Sequence, residues 1–263
     1  MMQEFIRYCD VEHEFSSVGE SYGMETFCWF FYSLIRMECP NVIVEVGSGA
    51  GVTTIAAALA LNQNGRGTLW SVDDGSDWTH IRKYSQAALG YYDESESYPR
   101  FRARLAEHFR VEDHVRMIAA TVSGGAYFSP ESDVDLVFID AGNTTASGCI
   151  EILKYYLPKM SAYSSICIDA LSIIWDSYLL LELVVGVLND GRIPGIVACG
   201  ATVAESTRLS ELVKASRFTL VHLVDRSERK VNRLQNGRCW LQIRPLDVVA
   251  DASVPIKMFS YSA

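Results

Sequence analysis

The stretch Asn41 to Asn62, NVIVEVGSGAGVTTIAAALALN, constrains the fold more than any other, because it reads without interruption as a buried strand, a glycine turn and a helix. Val42, Ile43, Val44 and Val46 are β-branched and suit a strand covered on both faces. Gly47, Gly49 and Gly51 follow at alternate positions, where glycine admits positive φ and lets backbone approach a ligand closely. Thr53 to Leu61 is alanine-rich and helix-competent, so the first N–H groups of that helix face the turn. Such a corner can hold an anionic or polar ligand, although the same glycines would also serve a plain tight turn.

The spacing chooses between ligand classes. The dinucleotide fingerprint G-x-G-x-x-G does not fit, because Val52 follows Gly51 directly and Glu45 stands in the strand ahead of Gly47. A carboxylate there repels a pyrophosphate and suits a ligand with an amino group, which speaks against another nucleoside or dinucleotide. The string EVGSGAG resembles the first motif of the Rossmann-like methyltransferases that bind S-adenosylmethionine. That resemblance implies a cofactor site lined by Glu45, Gly47, Ser48, Gly49 and Gly51, with S-adenosylhomocysteine as product.

With 263 residues, 49% hydrophobic and 21% charged, the chain suits one large α/β core. The expected organisation is a single domain, with N-terminal helices over 1–40, a Rossmann-like core over 41–245 and a tail over 246–263. A net charge of −9 and a pI near 5.1 argue against a nucleic-acid partner, which would need clustered Lys and Arg. Seven scattered cysteines without a C-x-x-C pair read as reduced core residues. The segment MMQEFIRYCDVEHEF lacks the apolar run of a signal peptide, so a cytoplasmic protein is expected. Leu171 to Leu188 contains Asp176 and Glu182 and reads as a buried helix rather than a membrane span.

Met24, Phe27, Cys28, Phe31, Leu34 and Ile35 recur at helical spacing and predict a core-facing stripe. Trp29, Phe30 and Tyr32 fall off that stripe, and their surplus apolar surface predicts a homodimer contact unless the preceding helix covers them. A second strand over Thr68–Val72 ends in Asp73-Asp74; Asp73 is the better candidate for the hydroxyls of a ribose, with Asp74 in reserve. A helix over Asp77–Leu89 puts Trp78 and His80 near the same mouth, with His80 read as a surface residue, and Gly90–Pro99 reads as a loop. Helices over Phe101–Phe109, around Cys149–Leu157 and over Ala201–Ser216 alternate with strands at Val115–Ala119, Val134–Ile139 and Ser164–Ile168, the last two closing on Asp140 and Asp169. Phe218–Val224 and Cys239–Ile243 predict an antiparallel edge hairpin. The fold class is therefore α/β: a doubly wound, mostly parallel Rossmann-like sheet with an antiparallel edge hairpin and an N-terminal helical extension.

Over roughly Tyr22 to Leu171, including VDLVFIDAGNTTASGCIEILKYYLPKMSAYSSICIDA, the chain resembles the catechol O-methyltransferases and bacterial natural-product O-methyltransferases. In that group acids at the ends of strands four and five hold a divalent ion, and Asp140 and Asp169 match those positions. The third ligand position holds Ala170, and Asn143 and Thr145 stand where a histidine and a tyrosine are expected. Lys159 to Tyr163 replaces a Pro-Gly-Gly turn, and Thr121 stands where many relatives carry an acid for the adenine amino group. The resemblance thus implies Asp140, Asp169 and Asn143 as catalytic candidates, Thr121 and Asp140 as further cofactor contacts, and no assigned metal ligand, with a divalent ion not favoured. The expected activity is methyl transfer from S-adenosylmethionine to a hydroxyl, or less readily an amine, of a small molecule in natural-product biosynthesis. The alternative is a methyltransferase-fold protein that keeps the cofactor but has become a cyclase-type catalyst or a partner subunit.

Overall fold

Short β-branched runs alternating with helix-competent segments set the architecture, since parallel neighbours need a crossover between them. The structure, a computed structural model, describes residues 3–8, 25–120, 128–140, 145–169, 174–225 and 236–246. In chain order these form α1 (3–8), α2 (Glu25–Glu38), β1 (Val42–Val46), α3 (Val52–Asn64), β2 (Thr68–Asp73), α4 (Trp78–Ala88), α5 (Tyr98–His108), β3 (Val115–Ala119) and β4 (Val134–Ile139). There follow α6 (Ala146–Tyr156), β5 (Met160–Ile168), α7 (Trp175–Asn189), α8 (Gly195–Ala198), α9 (Val203–Ala215), β6 (Ser216–Asp225) and β7 (Asn236–Pro245). The strands make a seven-stranded mixed sheet of the expected class, and the chain divides into two compact units, Met1–Gly142 and Asn143–Ala263.

The first unit carries four parallel strands in the order β3-β2-β1-β4. Ile43, Val44 and Val46 of β1 are fully buried, as a central parallel strand covered on both faces must be. Ten successive residues of α3, Val52 to Leu61, are buried as well, so this helix is core on every side. The predicted stripe of α2 holds: Phe27, Cys28, Phe31, Leu34 and Ile35 are buried, and both Phe27 and Phe31 lie 5.1 Å from the Phe138 ring on β4. Met24 lies outside the described residues. The surplus aromatics are half-buried rather than free: Phe5 of α1 meets Trp29 edge to face at 5.8 Å, Phe30 lies beside Phe27, and the Tyr32 hydroxyl donates to Gln63.

The second unit places β7 between β5 and β6, antiparallel to both. The expected edge hairpin is therefore present, and its strands are longer than the apolar runs alone indicated. Strand β5 also begins earlier than predicted, at Met160, because that side chain is buried while Ser161 to Tyr163 give no alternating apolar signal. Thr202 and Glu205 form a reciprocal cap at the start of α9. Asn189, at the end of α7, both accepts from the Phe218 N–H and donates to its carbonyl, fastening that helix to β6. Cys149, Cys167 and Cys239 are buried free thiols, in keeping with reduced core cysteines, whereas Cys199 is exposed. Among the described residues no helix is long and apolar enough to cross a membrane.

Candidate functional site

The corner after β1 has the predicted backbone. Gly47, Gly49 and Gly51 all adopt positive φ, at 82°, 46° and 81°. At Gly51 the φ of 81° is the constraint that favours glycine, and a Cβ would in addition stand 2.6 Å from the flexible end of Leu105, which would have to shift. Gly51 caps α3 in a left-handed conformation without a side-chain hydrogen bond, so the first N–H groups of α3 keep no capping side chain. The Gly47 N–H donates to the Val72 carbonyl at 2.9 Å, tying the turn to β2.

Asp73, at the end of β2, is drawn into this turn. One carboxylate oxygen, Oδ2, accepts from the Ser48 N–H at 2.7 Å, the Gly49 N–H at 3.0 Å and the Ser48 hydroxyl at 3.3 Å. The other, Oδ1, accepts from the Gly75 N–H at 2.7 Å, which leaves it capacity for a further donor. Asp74 is exposed and accepts from the Ser76 N–H. The structure thus brings Ser48, Gly49 and Asp73 together and turns Asp74 to the surface.

Glu45 is fully buried, and Thr53 and Thr54 of α3 and Ser71 of β2 each donate a hydroxyl to it at 2.6 Å. The carboxylate clamps α3 and β2 to β1. Arg102 of α5, itself buried, donates to the Ser71 hydroxyl and carbonyl and brings a positive charge near. Burial pushes the Glu45 carboxyl up from the ordinary carboxylate range, while the three hydroxyls and Arg102 pull it down.

Two residues of this corner had escaped the sequence reading. Tyr98 donates its hydroxyl to the Gly49 carbonyl at 2.8 Å and lies 3.1 Å from the Ser48 hydroxyl, so it props the turn from α5. Burial and the nearby Asp73 charge hold its phenol well above the ordinary tyrosine range. Tyr98 was missed because Gly90–Pro99 read as a loop, although Pro99 sits at a helix start and could have signalled it; Arg102 lies inside the predicted Phe101–Phe109 helix, where nothing local singles it out. Trp78 is pinned inward, its indole N–H donating to the Glu96 carbonyl and its ring 4.6 Å from Phe101, and His80 is exposed.

The strand-end acids differ. Asp140 is exposed at the end of β4, with its backbone N–H on the Val46 carbonyl at 2.8 Å. Asp169, just after β5, is ion-paired with Arg238 of β7, a residue the sequence reading did not single out. Thr145 accepts from the Gly148 N–H and caps α6. Thr121, Asn143 and Ala170 lie outside the described residues.

Parallel strands with a glycine corner at the carboxyl end of β1 and an acid closing β2 define a Rossmann-like nucleoside-cofactor fold, here in its methyltransferase form. Residues 44–170 match the model of a family described as a methyltransferase domain. Among solved structures, the O-methyltransferase TomG from Streptomyces achromogenes, in complex with SAM, is 13% identical, with 92% of this chain and 89% of that one covered at a TM-score of 0.51. A Klebsiella pneumoniae protein assigned as an O-methyltransferase is 15% identical, with 92% and 90% covered at the same TM-score of 0.51. At these identities the likeness is one of fold. No curated protein matches the chain.

Proposed function

We propose that the chain binds S-adenosylmethionine at the glycine corner and transfers its methyl group to a hydroxyl, or less readily an amine, of a small natural-product-type molecule. The observation that carries this reading is Asp73: an acid at the end of β2, fixed by the turn's own N–H groups, with acceptor capacity left on Oδ1 for a ribose hydroxyl. The family match over residues 44–170 and the SAM complex of the structurally similar TomG support it. Bound there, the cofactor supplies a methyl group already activated on a sulfonium.

The chain's own residues bind, orient and accept a proton. The turn around Gly47 and Gly49 lets backbone approach the cofactor, Tyr98 holds that turn in shape, and the first turn of α3 faces the ligand's carboxylate with its N–H groups. Glu45 acts one layer behind, keeping α3 in place. Asp140, exposed at the end of β4, takes the hydroxyl proton of the acceptor. A homodimer remains part of this proposal, with a reduced motive now that Phe5 packs on Trp29.

A second reading, a cofactor-binding protein that has given up methyl transfer, is favoured by one observation: Asp169 is engaged by Arg238 rather than presented to a substrate. Calorimetric titration with S-adenosylmethionine and S-adenosylhomocysteine tests both, since both require binding. A mass-shift screen of candidate phenols and alcohols then separates them. Absence of binding to either ligand overturns the proposal, and binding without any methylated product favours the second reading.

A further inference from the structure

Asp169 stands where the metal-dependent methyltransferases that this chain resembles place a ligand, so its surroundings test whether a divalent ion fits. The ladder between β5 and β7 pairs Ile168 with Cys239, and the next step of that antiparallel register sets Asp169 opposite Arg238. Arg238 Nε lies 2.6 Å from Asp169 Oδ1, in an ion pair that is close but not aligned as a hydrogen bond. The Arg238 side chain is 5% exposed and that of Asp169 18%. A guanidinium carries its charge at every pH a folded protein meets, so it cannot step aside by losing a proton. A Mg²⁺ ion wants near-octahedral oxygen ligation and would here sit against a fixed positive charge. Among the described residues no group of three or more His, Cys, Asp or Glu is arranged to hold a metal. These residues do not fit a divalent ion.

We propose that Arg238 is the resident cation at the end of β5. It neutralises Asp169 and fixes its carboxylate, as an ion does in metal-dependent relatives, which makes Arg238 a positioning residue and leaves Asp169 unavailable as a metal ligand. The inference rests on the methyl-transfer reading only for the choice of relatives; the cofactor titrations above test that reading separately.

Mn²⁺ titration of the whole chain, followed by electron paramagnetic resonance and by thermal melting, decides it. Wild type should leave the free Mn²⁺ signal undiminished and keep its Tm. Arg238→Gln should melt lower, and combining it with Asp169→Asn should recover part of that loss, because the uncompensated charge is then removed as well. Arg238→Lys should keep the wild-type indifference to Mn²⁺, and this arm together with the wild-type titration decides the matter should the glutamine variant not fold. Mn²⁺ bound by wild type and lost in Asp169→Asn overturns the proposal. So does Mn²⁺ bound by the lysine variant at Asp169, or a glutamine variant that melts low yet gains nothing from Asp169→Asn, since Arg238 would then be a packing residue and not a counter-ion.

Discussion

Asp73 and Asp169 each follow or close a strand of the same sheet, yet the protein holds them by opposite means. Asp73 is held by neutral donors, the N–H groups of Ser48, Gly49 and Gly75, whereas Asp169 is held by the full charge of Arg238. Neutral donors fix a carboxylate and still leave its charge to be used by a ligand. A guanidinium consumes that charge. The same residue type in equivalent local positions is therefore available at the first and committed at the second, and the difference comes from what lies across the ladder.

The largest effect should come from breaking the committed acid. Arg238→Ala removes the guanidinium charge from beside a mostly buried carboxylate, which costs about 3–5 kcal/mol and lowers Tm by roughly 10 °C. Replacing both partners, with Arg238→Met and Asp169→Leu, should restore most of that in a thermal melt, because the pair's desolvation is removed with its attraction. A single variant that melts within about 1 kcal/mol of wild type would erase the contrast with Asp73.

Next comes the available acid. Asp73→Ala should weaken S-adenosylmethionine binding about ten- to a hundredfold in calorimetry, or about 1.5–3 kcal/mol. An unchanged affinity would remove Asp73 from the site and leave it only as a clamp on the turn. Smaller again is Gly51→Ala. Its φ of 81° should cost about 1–2 kcal/mol, while the contact with Leu105 can be relieved by movement of that flexible side chain. Urea denaturation reads this directly, and a stabilised alanine variant would mean that the turn relaxes in solution.

The smallest expected effect concerns Glu45, and its signature is the pH dependence. Because burial raises its pKa above the unfolded value, the folded state binds the proton more readily. Its contribution to stability is thus fully present below the unfolded carboxyl pKa and falls as pH rises toward the folded pKa. Glu45→Gln should change stability by about 1 kcal/mol or less and flatten that decline in Tm measured from acid to neutral pH. A slope left as steep as in wild type would mean that Glu45 is charged throughout, with Arg102 as its counter-ion across Ser71.

Much of this was legible in the sequence, and the remainder has identifiable causes. Strand β4 falls on the residues its apolar run predicted, because buried parallel strands are nearly uniform in hydrophobicity; β3, a partly exposed edge strand, also falls on its predicted residues. The positive φ of Gly47, Gly49 and Gly51 follows from a turn that only glycine makes cheaply. Glu45 was placed correctly on its strand, and the hydroxyls that donate to it, from Thr53 and Thr54 of α3 and Ser71 of β2, could not be read from the sequence. Tyr98, Arg102 and Arg238 act across long sequence separations. No local pattern marks a residue whose partner is chosen by helix packing or by the register of a distant hairpin.

That register has a consequence for folding as well. Side chains on a strand alternate between faces, so a slip of one residue between β5 and β7 would bring Asp169 level with Gly237 or Cys239 and swing Arg238 to the other face. Burial of apolar side chains already resists such a slip, and a buried charge pair across the ladder adds to that resistance, since the slip would part the two charges. Arg238 and Asp169 thus work as a proofreading pair for the hairpin: the chain can close β7 against β5 in other alignments, but only one of them lets both charges go under cover together.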